Sequence, residues 1–122
     1  MSVETLPSAS SVKLISFDSA DVRPGFVNDT FFLIVRGEAP CLNMEVQLVP
    51  RIYLDCPEYW GIEVVGTLPG GICLTAMKPY VLTISLTGVT GSVGIEVIGS
   101  NKKEKFDVPG GCSGGAQLQM AG

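Results

Sequence analysis

The chain has 122 residues, 46% of them apolar and 16% charged, with a net charge of −4 and no histidine. That composition is globular, not disordered, and a chain this long buries roughly two thirds of its unfolded surface as one domain without needing a metal or a disulfide. The acidic balance opposes non-specific contact with nucleic acid or anionic lipid, while the missing imidazole excludes Ser-His-Asp and Cys-His catalysis and any imidazole metal site.

Residues 1–11 read as a polar, Ser-rich lead. They have neither a basic start nor an apolar core, so no signal peptide is expected there, although a mature exported chain with an added Met would look the same. The first strand is expected over residues 12–17 and a long loop over 18–28, where Pro24, Gly25 and Asn28 cluster. Residues 30–36 form a nearly continuous apolar run, as in a strand buried on both faces. The longest uninterrupted apolar stretch, 31–35, falls far short of the roughly 20 residues a bilayer requires, so no membrane span is expected.

Residues 44–49 alternate cleanly, with Met44, Val46 and Leu48 on one face and Glu45 and Gln47 on the other. Pro50 stops that strand or marks an edge, and 51–54 continue past a bulge. Residues 56–61 form an aromatic-rich connection, 62–67 a strand, 68–71 a turn and 72–77 another strand. Lys78-Pro79 resets the chain. In 80–86, Tyr80, Leu82, Ile84 and Leu86 face one way. After a turn at Gly88–Gly91, Val93, Ile95 and Val97 repeat the alternation, so the two strands predict a hairpin. A turn near Asn101 leads into a last strand over 104–108.

Seven or eight short strands with no helical stripe predict an all-β fold: an antiparallel β-sandwich, immunoglobulin-like in architecture. The domain spans 12–108, with a Gly-rich C-terminal tail over 109–122. The expected core is Phe32, Ile34, Val46, Leu48, Val64, Leu82, Ile84, Ile95 and Val97.

Cysteines stand at 41, 56, 73 and 112. No C-x-x-C occurs, so neither a redox pair nor a zinc ribbon is indicated. Two disulfides are allowed in an exported chain and none is expected in the cytosol, the default compartment. Cys41 and Cys56 flank a region that, folded as a hairpin, brings them together. Cys73 reads as a small buried hydrophobe.

The densest functional candidate is the stretch holding Tyr53, Asp55, Glu58, Tyr59 and Trp60. Tyr and Trp give large contact area at low entropic cost, suited to gripping a peptide or stacking on sugar rings. A carboxylate pair such as Asp55 with Glu58 is the kind that glycoside chemistry uses, against the reading that these are solvated loop acids. Lys102, Lys103 and Lys105, interrupted by Glu104, read as a solvated turn. Asp18, Asp21 and Asp29 do not match a calcium loop, and no motif calls for a metal or cofactor.

Cys112 lies between Gly110-Gly111 and Ser113-Gly114-Gly115, which predicts an unhindered, reactive thiol on a flexible arm. This stretch is similar to the substrate-carrying arm of sulfur-oxidation carrier proteins, which also use an immunoglobulin-like sandwich. The resemblance covers residues 110–115 and departs through Ser113 and through the further residues 116–122. It implies a thiol carrier or covalent-attachment role for Cys112. The leading expectation is instead a non-enzymatic module that binds a protein or carbohydrate partner through its loops. A carbohydrate-active or carbohydrate-binding domain using residues 53–60 is the third.

Overall fold

A computed structural model describes residues 10–112; residues 1–9 of the polar lead and 113–122 of the Gly-rich tail lie outside the described residues. The fold is all-β, with eight strands and, among the described residues, no helix: β1 (Ser10–Leu14), β2 (Ser19–Pro24), β3 (Phe31–Cys41), β4 (Glu45–Pro50), β5 (Tyr59–Pro69), β6 (Thr75–Ser85), β7 (Gly94–Ile98) and β8 (Lys103–Asp107). They form two sheets, not a barrel. One holds β2, β3 and β6, with β3 central. The other is organised on β5. Strand β4 lines one edge of β5, while β1 and β7 share the other edge, β1 beside residues 65–69 and β7 beside 59–63. Strand β8 completes this sheet on β7.

The pairing corrects three expectations. β5 and β7 run parallel, so the fold is not wholly antiparallel. β6 and β7 are no hairpin, because residues 86–93 carry the chain from one sheet to the other. Residues 18–28 contain β2, in which Ala20 is buried and Val22 packs on the core while Asp21 and Arg23 stay exposed. Residues 51–58, for their part, form a loop rather than a continued strand.

One apolar cluster lies between the sheets. Leu33, Val35 and Tyr80 enter from the three-stranded sheet, and Ile62, Val64, Ile95 and Val97 from the other, with Phe17 and Met44 between. Each fully buried aliphatic or aromatic side chain stabilises the fold by roughly 1.5–3 kcal/mol. Val64, Ile95 and Val97 are core residues as expected. Val46, Leu48, Leu82 and Ile84 are half-buried against the cluster. In β3 the parity is reversed, with Leu33 and Val35 inside and Phe32 and Ile34 on the outer, half-covered face.

Two prolines sit inside strands. Pro40 marks the register shift between Ala39 and Cys41, and Pro79 pairs with Glu38 on β6, an edge strand whose outer side needs no donor there. The strand therefore runs through Lys78-Pro79 instead of breaking.

Candidate functional site: a cleft at one end of the sheets

The register fixes which loops share an end. Pro24 pairs with Phe31, Phe32 with Ser85, Pro50 with Ile62, and Tyr59 with Gly94, which in turn pairs with Asp107. The loops of residues 25–30, 51–58 and 86–93 and the segment 108–112 therefore gather at one end. Backbone bonds join them: Ser92 N–H donates to Pro57 O (2.8 Å), Val93 N–H to Glu58 O (2.8 Å) and Cys112 N–H to Thr90 O (3.0 Å). At the opposite end lie the turns 42–44 and 70–74.

A disulfide staples each end. Cys56 bonds Cys112, with Cα atoms 5.8 Å apart, and Cys41 bonds Cys73 at 5.2 Å. The expected Cys41–Cys56 bridge is not formed, because residues 45–50 pair with 62–67 rather than folding back on themselves, leaving Cys41 and Cys56 at opposite ends. Cys73 is exposed and bonded, not a buried hydrophobe. Cys112 is no free thiol in this structure. Of its flanking glycines, Gly111 is packed rather than free: it is pressed against the Gly91 carbonyl, where a Cβ has no room, and Gly91 in turn is crowded by the carbonyls of Pro57 and Glu58. Gly114 and Gly115 lie outside the described residues.

The stapled segment forms one wall of a cleft of about 340 Å³. Asp29, Thr30 and Phe31 supply a second wall, and Leu86, Thr87, Gly88 and Thr90 the remainder. Leu86 is buried. The hydroxyl of buried Thr90 donates to Leu86 O at 2.8 Å. Asp29 has φ +65°, an uncommon conformation that Asp tolerates better than most residues. Among the described residues it is the only ionisable side chain lining the cleft.

The aromatic candidates stand beside this cleft, joined to it through Cys56. Trp60 is half-buried at the margin of the core, and its Nε1–H donates to Arg51 O at 2.9 Å. Tyr53 meets Trp60 edge-to-face at 5.0 Å, and its hydroxyl accepts the Gly61 N–H at 3.1 Å. Tyr59 donates to Asp107 Oδ1 at 2.8 Å and lies under the Lys105 ammonium, 4.9 Å from the ring centre. The Asp107 hydrogen bond, more than desolvation or the nearby charges, raises the Tyr59 hydroxyl pKa. Arg51 pairs with Glu63 at 3.0 Å, and that hydrogen bond raises the guanidinium pKa. Asp55 and Glu58 are exposed, and among the described residues their side chains form no hydrogen bond or ion pair.

The lysine cluster is also engaged. Lys102 Nζ contacts Asp18 O and Glu104 Oε2, each at 2.9 Å, and lies over the Phe17 ring. Besides Asp55 and Glu58, the loop end leaves apolar side chains in solvent: Phe26, Ile52 and Leu54 are fully exposed, and Val27 largely so. Phe26, Val27 and Ile52 do not stand out in the sequence; of the cleft residues only Cys112 and its glycines do, and Leu54 falls within the aromatic-rich stretch 53–60. The available signals were the Asn28-Asp29 turn and an Ile–Tyr–Leu alternation outside any strand.

Among the described residues no group of three or more His, Cys, Asp or Glu converges as a metal site, and no helix is long and apolar enough to cross a membrane. Compared with models of known protein families, with curated proteins and with solved structures, the chain shows no match.

Proposed function

We propose that this protein is a non-enzymatic binding module that works as immunoglobulin-like domains do, through loops gathered at one end of two packed sheets. The observation that carries this reading is the joint placement of the cleft and of the exposed Phe26, Ile52 and Leu54 on one stapled end. Exposed apolar side chains beside a concave surface are a usual mark of a contact site. Tyr53, Tyr59 and Trp60 act as a rigid support for residues 52–55, since their polar atoms are already engaged. Asp55 and Glu58 supply the polar rim. A protein partner fits better than a carbohydrate, because the Tyr53 and Trp60 rings pack on each other rather than offering a shared flat platform. Among the described residues Asp29 is the single carboxylate lining the cleft, so the cleft lacks the carboxylate pair that glycoside hydrolysis uses, which favours the binding reading. Both disulfides favour an oxidising compartment.

The thiol-carrier reading applies only to a reduced form, in which the Cys56–Cys112 bond is open.

The test probes peptide and glycan arrays with the wild type, with Leu54→Asp and with Lys103→Glu. The proposal expects peptide binding that Leu54→Asp abolishes and Lys103→Glu leaves intact. Binding confined to glycans, or insensitive to Leu54→Asp, overturns it.

A further inference from the structure

Among the described residues, the open edges of the two sheets are guarded unequally. β8 carries Lys103, Glu104, Lys105 and Asp107; β2 carries Asp21, Arg23 and Pro24; β1 carries Lys13; β4 is bounded by Glu45 and Pro50. Charges and prolines of this kind keep an edge from pairing with another chain. The remaining edge is β6. Its guard, Lys78-Pro79, protects only the first half, and residues 80–87 contain no charge and no proline.

The hydrogen-bond parity of β6 shows which groups are offered there. Leu86 N–H donates to Phe31 O at 2.9 Å, in register with the β3–β6 ladder. Even-numbered residues of β6 thus turn their N–H and C=O toward β3, and odd-numbered ones turn them outward. Pro79 is odd, so its missing N–H costs the ladder nothing. Val81, Thr83 and Ser85 present N–H and C=O groups to the open side, and all three side chains are exposed. Leu82 and Ile84 reach the core from this edge but stay half-buried. β4, in the other sheet, lies close to β6 but is not hydrogen-bonded to it.

From this we infer that the second half of β6 is a self-association edge, and that its occupant is β6 of a second copy of this chain, antiparallel about a two-fold axis at Thr83. In that register Thr83 pairs with itself and Val81 with Ser85, so every outward N–H and C=O from 81 to 85 finds a partner. Leu82 then stands opposite Ile84 in a close, non-hydrogen-bonded pair, which covers the apolar surface both leave open. No like charges meet, and Pro79 falls beyond the paired segment. The register is self-complementary, as a two-fold interface requires, and the two three-stranded sheets become one sheet of six.

The test combines sedimentation equilibrium over a concentration series with residue-resolved hydrogen exchange. Wild type is expected to dimerise, with the Val81, Thr83 and Ser85 amides gaining protection as concentration rises. Thr83→Lys sets two ammonium groups face to face and should raise the dissociation constant roughly tenfold or more. Thr83→Pro places a proline where Pro79 shows one is tolerated, removes the central donors and should act likewise without unfolding the monomer. Asp21→Lys, on the opposite edge, should change nothing. A monomer at every concentration overturns the inference, as does a dimer indifferent to both Thr83 variants or equally weakened by Asp21→Lys.

Discussion

The two ends of the molecule use the same covalent device for different purposes. Cys41–Cys73 ties the end of β3 to the turn that opens β6, its neighbour in the same sheet. Non-covalent bonds duplicate that tie: Asn43 donates from Nδ2 to Ile72 O and accepts Leu74 N–H at Oδ1, and Leu42 N–H donates to Leu74 O. Cys56–Cys112 instead holds residues 109–112, which belong to no strand, against a loop at the other end. One bridge reinforces a sheet. The other makes a wall, and with it a cleft. A disulfide that replaces strand pairing is thus a better pointer to a site than one that accompanies it.

The largest expected effect comes from opening the bridges. By loop length alone, replacing Cys56 and Cys112 with Ala should cost roughly 4 kcal/mol, and the Cys41/Cys73 pair about 0.5 kcal/mol less, from sequence separations of 56 and 32. The Asn43 bonds should widen that gap in urea unfolding. Equal losses would break the comparison.

A glycine at each end sharpens it. Gly111→Ala drives a methyl into the Gly91 carbonyl and should cost roughly 2–4 kcal/mol, displacing the cleft wall. Gly71→Ala meets open space at φ +75° and should cost only about 1 kcal/mol of backbone strain.

Alkaline pH probes the core between the two ends, at the middle of β6. Tyr80, opposite Gly37, donates to Ser16 O at 2.7 Å, and burial, with a smaller push from Asp18, raises its pKa to about 12. The unfolded chain ionises this group near 10, so stability present below pH 10 is lost as pH rises toward 12, by up to about 2–3 kcal/mol. Absorbance titration should find one tyrosine protonated until about pH 12. Tyr80→Phe should flatten the alkaline loss while costing about 1 kcal/mol at neutral pH.

A further modest effect concerns the brace itself. Asn43→Ala should cost about 1–2 kcal/mol in the wild type and distinctly more once Cys41 and Cys73 are gone, because each then depends on the other.

The sequence showed the strand rhythm clearly and the faces only where polar residues interrupt the apolar ones. Ile95 and Val97 alternate with Glu96 and were legible as core. The unbroken run 31–35 has no such marker, and its parity came out reversed. Ile84 looked fully buried because nothing in residues 80–86 reveals that the strand is an edge, so Ile84→Ala should cost less than Leu33→Ala. The β6–β7 connection looked like a hairpin because a return and a crossover use similar turn residues. Most of the cleft is illegible for another reason: its walls join residues far apart in the chain, Asp29–Phe31, Leu86–Thr90 and Pro109–Cys112, assembled by a cysteine pairing that is one of three possible for four cysteines.

The central claim, that each end is closed by its own bridge and that the wall at the cleft end is covalent, is tested most directly by mass spectrometry of the unreduced protein after proteolysis. Linked peptides joining Cys41 to Cys73 and Cys56 to Cys112 are expected, with no alkylated cysteine. A Cys41–Cys56 peptide, or a Cys112 that alkylates in the native protein, would contradict it.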